Sequence, residues 1–321
     1  MPALTIEDSV RQAFQIMAVG GRGDAGALAA GLRRDVTGLG LRALAAKLLH
    51  VSVCTPERLL DVYDAAAHGW LSGQVYPPST RNTRDNGPPD AFWRDFWKLL
   101  EGAAAERRRV PFTRAAIRLT RLLDKQLDER VAATALDYRG AREAAAKGLL
   151  EHLDVRELAH AAPSHLGGLI YREAMLREQQ QDCIHPAEWG FDRMPPPLGY
   201  LNARILESHV AWAVVGGYSH AELDELALAA FQTAQFGHHY SSVVLALTMA
   251  TVAIERPAGL EIVLESVFRG WLHGRQTPPL LGVAWRELLD LPLDAVRQAL
   301  GVVPFASPLA AAVRLSARGA R

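Results

Sequence analysis

The sequence contains little cysteine and no excess charge. Cys54 and Cys183 are its two cysteines in 321 residues. Two cysteines cannot form a disulfide framework, and such usage is typical of a reducing compartment. The 35 lysines and arginines equal the 35 aspartates and glutamates in number. Without net positive charge, the composition argues against a nucleic acid or an anionic membrane surface as a partner.

Long apolar runs are also missing. The longest, at 243–254, is interrupted by Thr248 and Thr251, and it is shorter than the roughly 20 residues that span a bilayer. Near the start of the chain, Glu7 and Arg11 fall within an amphipathic pattern, whereas a secretory signal has an uninterrupted apolar stretch. We therefore expect a soluble, cytoplasmic protein.

Several signatures of common enzyme classes are absent. No Gly-x-Gly-x-x-Gly follows a predicted strand, and there is no Gly-Lys-Ser/Thr phosphate loop, Gly-x-Ser-x-Gly elbow, His-Glu-x-x-His or paired Cys-x-x-Cys. These absences argue against dinucleotide-dependent enzymes, nucleotide hydrolases, common serine hydrolases and zinc fingers.

The sequence does contain repeated signals for the start of a helix. They include Thr55 before Pro56, Asp154, the capping box that begins at Ser219, and Asp294. Alanine and leucine, which favour helices, dominate the middle of the chain, and the alternation typical of strands is almost absent. We predict an all-α protein without significant β-sheet, either an irregular α-α array or an orthogonal helical bundle.

Two segments rich in proline and glycine, at 71–89 and 182–199, interrupt the helical pattern. Between them, residues 126–152 are predicted to form one long or kinked helix. The segment 182–199 is the better boundary between an N-terminal half (1–181) and a C-terminal half (200–321), although one continuous domain is the alternative. Its aromatic residues and prolines make it a candidate lid over a cleft between the halves.

Ionisable residues fall on helices that are otherwise apolar. His209 shares a helical stripe with Ile205 and Trp212, whereas Glu207 lies on the opposite side. A buried carboxylate needs a partner, so Glu207 is expected to pair either with Arg204, one turn away, or with a metal ion.

Two further histidine sites are candidates. His238 and His239 follow a glycine that is predicted to end a helix. Adjacent helical residues point about 100° apart, so at most one of the two would share a pocket with His209; the alternative is that both cap the turn or lie at its surface. His165 precedes Gly167-Gly168, a pair that lets a ligand or another backbone approach closely; a plain helix contact is the alternative. The candidate catalytic residues are therefore Glu207, His209, His238, His239 and His165.

The sequence leaves the cofactor unknown, with a metal ion as the open alternative. Glu157 and His160 have the Glu-x-x-His spacing of carboxylate-bridged metal sites, but no second copy is found. Four side chains of metal-binding type lie close together in the proline-rich segment, in a spacing that matches no zinc signature: Cys183, His185, Glu188 and Asp192.

The histidines spread over apolar helical segments, at His50, His165, His209 and His238, are loosely similar to those of questin oxidase-like proteins. The resemblance involves single residues and no shared motif. The resemblance implies that, if the protein is an enzyme, an oxygenase is one alternative. It does not assign the chain to that family.

Two functions follow from these patterns. The first is a helical enzyme that acts on a small apolar or aromatic molecule, with Glu207, His209 and His238 or His239 as acid–base groups or metal ligands in a cleft. The second is a non-catalytic module that presents the aromatic residues at 92–97, or the segment 182–199, to a protein partner. The aromatic residues could equally form core.

Overall fold

The computed structural model describes residues 6–20, 24–75, 87–106, 112–124, 126–151, 153–178 and 190–307. Within these ranges the chain forms helices and no strand, so the all-α prediction is confirmed. An isolated bridge joins His165 to Pro292. The α-helices are α1 (Asp8–Gly20), α2 (Ala25–Arg34), α3 (Gly38–Val53), α4 (Leu59–Ser72), α5 (Asp90–Glu106), α6 (Phe112–Thr120), α7 (Gln126–Ala135), α8 (Ala141–Lys147), α9 (Leu166–Glu178), α10 (Leu198–Gly216), α11 (Glu222–Phe236), α12 (His239–Glu255), α13 (Leu260–Gln276) and α14 (Leu293–Leu300).

Two large hydrophobic cores hold these helices together. The first joins α1 to α6 with α12 and α13, and Phe14, Leu49 and Trp271 are fully buried in it. The second contains α8 to α10, part of α11 and the segment at 280–302, and Trp212 is buried in it. Because α11 contributes to both cores, it lies between them. No helix in the described ranges is long and apolar enough to cross a membrane.

Helices from both ends of the sequence pack together. The most extensive contacts are those of α11 with α13, α2 with α4, and α12 with α3. Residues from both predicted halves therefore share the first core. The division into halves stays a prediction, and part of the proposed boundary, 182–189, lies outside the described residues.

The aromatic residues of α5 are core. Phe92 and Phe96 are fully buried, and Trp93 and Trp97 are 7% and 3% exposed. Their rings pack against one another and against Phe14 of α1. These rings already pack against neighbours within the chain. The hypothesis that the aromatic residues at 92–97 are presented to a protein partner therefore has no exposed aromatic surface to support it.

The contact between α11 and α13 depends on glycine at position 270. A Cβ atom added there would lie 2.2 Å from the carbonyl oxygen of Ala227. We expect Gly270→Ala to lower the free energy of unfolding by about 1–3 kcal/mol, since the two helices would have to separate. Gly102→Ala is the matched control, because a Cβ atom there meets nothing within 4 Å; it should stabilise α5 by up to about 1 kcal/mol. Urea denaturation measures both, and equal effects would contradict the prediction.

Candidate functional site

His209 lies where α9, α10 and α11 meet, and both of its ring nitrogens have polar neighbours. Its Nε2 atom is 3.3 Å from Nη1 of Arg177 on α9. Its Nδ1 atom is 2.8 Å from the side-chain amide nitrogen of Gln232 on α11. The imidazole remains partly accessible, with 33% of the side chain exposed. His209 is thus held in a fixed orientation while a solvent molecule or ligand can still reach it.

The same contacts continue to His238. Ser241 Oγ lies 3.2 Å from Gln232 Oε1 and 2.6 Å from His238 Nδ1. Arg177, His209, Gln232, Ser241 and His238 therefore form one continuous line of polar side chains, here called the histidine relay. It spans α9, α10, α11 and the start of α12. The relay links two of the predicted site residues, His209 and His238.

The donors and acceptors of the relay determine where its protons lie. An arginine can only donate, so His209 Nε2 must accept from Arg177 and His209 Nδ1 must carry the proton. That proton is accepted when Gln232 turns its amide so that the carbonyl oxygen faces His209. The Gln232 amide nitrogen then donates to Ser241, and the Ser241 hydroxyl donates to Nδ1 of His238. In this arrangement His238 carries its proton on Nε2, which has no hydrogen-bond partner among the described residues.

Burial keeps these imidazoles neutral. Burial, reinforced by His239 and His209, lowers the pKa of His238 to about 3. Burial alone lowers the pKa of His239 to about 4. Burial and the neighbouring guanidinium of Arg177 also lower the pKa of His209. Since a neutral imidazole has one donor and one acceptor nitrogen, His209 and His238 can each donate from one ring nitrogen and accept at the other at neutral pH.

A buried ion cluster anchors the other end of the relay. Arg177 donates from Nε to Glu173, at 3.1 Å, and from Nη1 to Glu225. Its Nη2 atom is buried without a hydrogen-bond partner among the described residues. Burial raises the pKa of Glu225, an effect that Arg177 opposes. Glu225 Oε2 is 4.0 Å from His209 Nε2, too far for a hydrogen bond, and the neutral imidazole makes no ion pair there.

Gly237 creates the turn that positions His238. It ends α11 with a left-handed φ of +71° and a bond from its amide to Thr233, as the sequence predicted. The ring of Tyr138 fills the place of a side chain, because a Cβ atom on Gly237 would lie 2.7 Å from it. His238 is the N-cap residue of α12, and its carbonyl accepts from the Ser242 amide at 3.0 Å. A short turn therefore brings the start of α12 back beside Gln232.

Glu207 and His165 lie apart from the relay. Glu207 accepts from Arg204 Nη1 at 2.7 Å, the pairing that the sequence offered as one of two interpretations. It is two residues from His209, so the two side chains leave opposite sides of α10. His165 precedes α9, and at 1.5 Å per residue it is about 18 Å along the helix from Arg177. Catalytic roles for these two residues stay predictions.

Sequence reasoning did not identify Arg177, Gln232, Ser241 or Glu225 as site residues. One signal was available: Glu173 and Arg177 have the i, i+4 spacing of an ion pair on α9. The cluster predicted from Cys183, His185 and Glu188 lies outside the described residues, with Asp192 inside them. Within the described ranges, no three histidine, cysteine, aspartate or glutamate side chains converge as metal ligands.

Comparisons with known proteins give a fold relationship. No protein-family model matches the chain, and no curated protein sequence matches it. The chain is similar to a crystal structure from Nostoc punctiforme PCC 73102 described as a "putative ubiquinone biosynthesis protein". The two share 19% sequence identity with a TM-score of 0.50, over 66% of this chain and 97% of that chain. At this identity the similarity shows a shared helical fold.

Proposed function

We propose that the protein is a helical enzyme that acts on a small apolar or aromatic molecule, with His238 as its acid–base group. The observation that carries this proposal is the histidine relay, in which Ser241 Oγ lies 2.6 Å from His238 Nδ1 and His238 Nε2 makes no hydrogen bond to a described residue. With the Gln232 amide turned as described above, that nitrogen carries the proton. A neutral imidazole of this kind can polarise a carbonyl oxygen by donating a hydrogen bond to it.

The remaining relay residues would act through His238. Ser241 and Gln232 orient the imidazole and fix which nitrogen carries the proton, and His209 continues the line towards Arg177. Proton transfer between His238 and a bound oxygen changes the charge on the imidazole. The hydrogen bonds of Ser241, Gln232 and His209 can adjust to that change, since each of these three side chains both donates and accepts. The apolar helices around the relay favour an aromatic or aliphatic ligand over a highly charged one. The oxygenase form of the hypothesis stays a prediction from the histidine pattern.

A binding screen tests the proposal. The fold neighbour is described as a ubiquinone biosynthesis protein, so substituted benzoquinones and naphthoquinones are one suitable class of probe, and aromatic ketones are another. We expect at least one to bind, and His238→Phe to weaken that binding about tenfold through loss of one hydrogen bond. Titration calorimetry measures the affinity. His160→Ala, a change at an exposed histidine, is the control.

Catalysis is measured on the aromatic ketones that bind. On an aryl alkyl ketone, the hydrogen bond from His238 to the carbonyl oxygen makes the α-hydrogen more acidic. Solvent water or hydroxide removes that proton to give the enol, and return from the enol takes deuterium from D2O, so wild-type protein should speed the exchange. His238→Phe should lose this exchange while His160→Ala keeps it. If no probe binds, or if His238→Phe binds and exchanges as wild type does, the proposal is wrong.

A further inference from the structure

The first turn of α12 has backbone donors without partners. His238 is the N-cap residue of the helix, but its side chain makes no capping hydrogen bond. The first backbone amides of the helix therefore do not donate to the side chain of the N-cap residue. No described group accepts from the amides of His239 or Ser241. The helix has 17 residues, and aligned peptide dipoles give such an N-terminus a partial positive charge. Unbonded donors and that charge together favour an anionic oxygen.

A buried side chain at the same place also lacks a partner. His239 is 6% exposed, and its Nε2 atom is buried without a hydrogen bond to any described group. Helical side chains lean towards the N-terminus, so the first residue of α12 directs its imidazole towards this end of the helix. A buried polar atom without a partner is unfavourable, and a bound ligand that accepts or donates a hydrogen bond there would remove that cost. The relay adds a third donor, Nε2 of His238.

We infer that the start of α12 is an oxyanion site, which binds the ionised oxygen of a phenol or an enol through His238 Nε2, the His239 and Ser241 amides, and the His239 imidazole. The inference rests on the proposed function and adds to it a substrate class: an aromatic molecule whose oxygen bears, or develops, negative charge. Neutral imidazoles suit this role, because they supply donors without drawing in a permanent counter-ion.

The charges around the site allow an anion. Asp128 raises the pKa of the neighbouring Tyr240, and Arg121 lowers it by a smaller amount, so Arg121 offsets part of the Asp128 charge there. Glu225 and Glu173 lie at the far end of the relay, where Arg177 pairs with both. Each of these carboxylates therefore has an arginine that opposes its charge, in full or in part.

Two matched probes separate charge recognition from simple apolar binding. The probes are 4-nitrophenol, at a pH where it is ionised, and its methyl ether 4-nitroanisole, which is equally aromatic and cannot ionise. Charge-assisted hydrogen bonds should make the phenolate bind about 10- to 100-fold tighter than the ether. His238→Phe should reduce this preference about tenfold, and His160→Ala should leave it unchanged.

A second readout uses the wild-type protein and so does not depend on how a variant folds. In a 15N-labelled sample, the amide proton signals of His239 and Ser241 should move downfield on binding of the phenolate, and much less with the ether. Equal affinity for the two probes, a preference that survives His238→Phe, unmoved amide signals, or no binding of the phenolate would each overturn the oxyanion site. Binding of neutral quinones or ketones in the screen above would still support the proposed function in those cases.

Discussion

Replacing Arg204 with methionine is expected to lower the free energy of unfolding by about 3–5 kcal/mol, because it leaves buried charges without their partner. Arg204 is fully buried. Its guanidinium donates to Glu151 at 2.9 Å and to Glu207 at 2.7 Å, as well as to the carbonyl oxygens of Leu281 and Val283. Without it, two carboxylates would face each other at low exposure, and the two carbonyl groups would each lose a donor.

Urea denaturation followed by circular dichroism measures this effect. Arg269→Met is the matched control, since Arg269 makes an i, i+4 ion pair with Glu265 on α13 but has 49% of its side chain exposed. An exposed pair contributes about 1 kcal/mol or less. A loss at Arg204 no larger than the loss at Arg269 would contradict the prediction. A large loss would support a structural role for the Glu207 carboxylate, whose ion pair lies on the side of α10 away from His209.

Local signals predicted the end of α11 and failed where other contacts decide. The capping box predicted at Ser219 is wrong, because α11 begins at Glu222 after Ala221, and the Ser219 hydroxyl donates to Asp224 instead. Gly237 ends α11 as expected, because a left-handed turn is a property of the residue itself. The single helix predicted for 126–152 is wrong: the chain breaks at Gly140 into α7 and α8. Gly140 has a φ of +80°, and a Cβ atom there would lie 2.4 Å from Pro279. The break thus accommodates a residue about 140 positions away, which helix propensity cannot indicate.

The candidate site shows the same limit. The apolar stripe on its helix indicated that His209 is buried or faces a pocket, and the turn at Gly237 follows from the sequence, whereas the position of His238 does not. The sequence did not indicate that Gln232 and Ser241 would connect the two imidazoles, because that depends on how α11 and α12 are rotated about their axes. Arg177 reaches His209 from α9, across a segment whose path the sequence does not specify.

Acid is expected to destabilise the protein, and His238 should account for a definable part of the effect. An unfolded histidine binds its proton near pH 6.5, whereas burial lowers the pKa of His238 in the folded protein to about 3. Between these values the unfolded chain holds a proton that the folded protein lacks. The free energy of unfolding should therefore fall as pH decreases through this window, by about 1.4 kcal/mol per pH unit for one such histidine. Above pH 6.5 this contribution to stability is fully present.

The comparison of wild type with His238→Gln isolates that contribution. Glutamine keeps an oxygen that can accept from Ser241 but does not titrate in this range, so the slope of stability against pH should become shallower by about one proton, or 1.4 kcal/mol per unit. Glu225 has the opposite effect on stability, because its raised pKa lets the folded protein bind a proton before the unfolded chain does as pH falls. Both proteins contain Glu225, so its contribution cancels when their stabilities are subtracted. His160→Gln, at an exposed histidine, should leave the wild-type slope unchanged. Parallel curves for His238→Gln and wild type would show that His238 is not held neutral, and the proton order assigned to the relay would then be wrong.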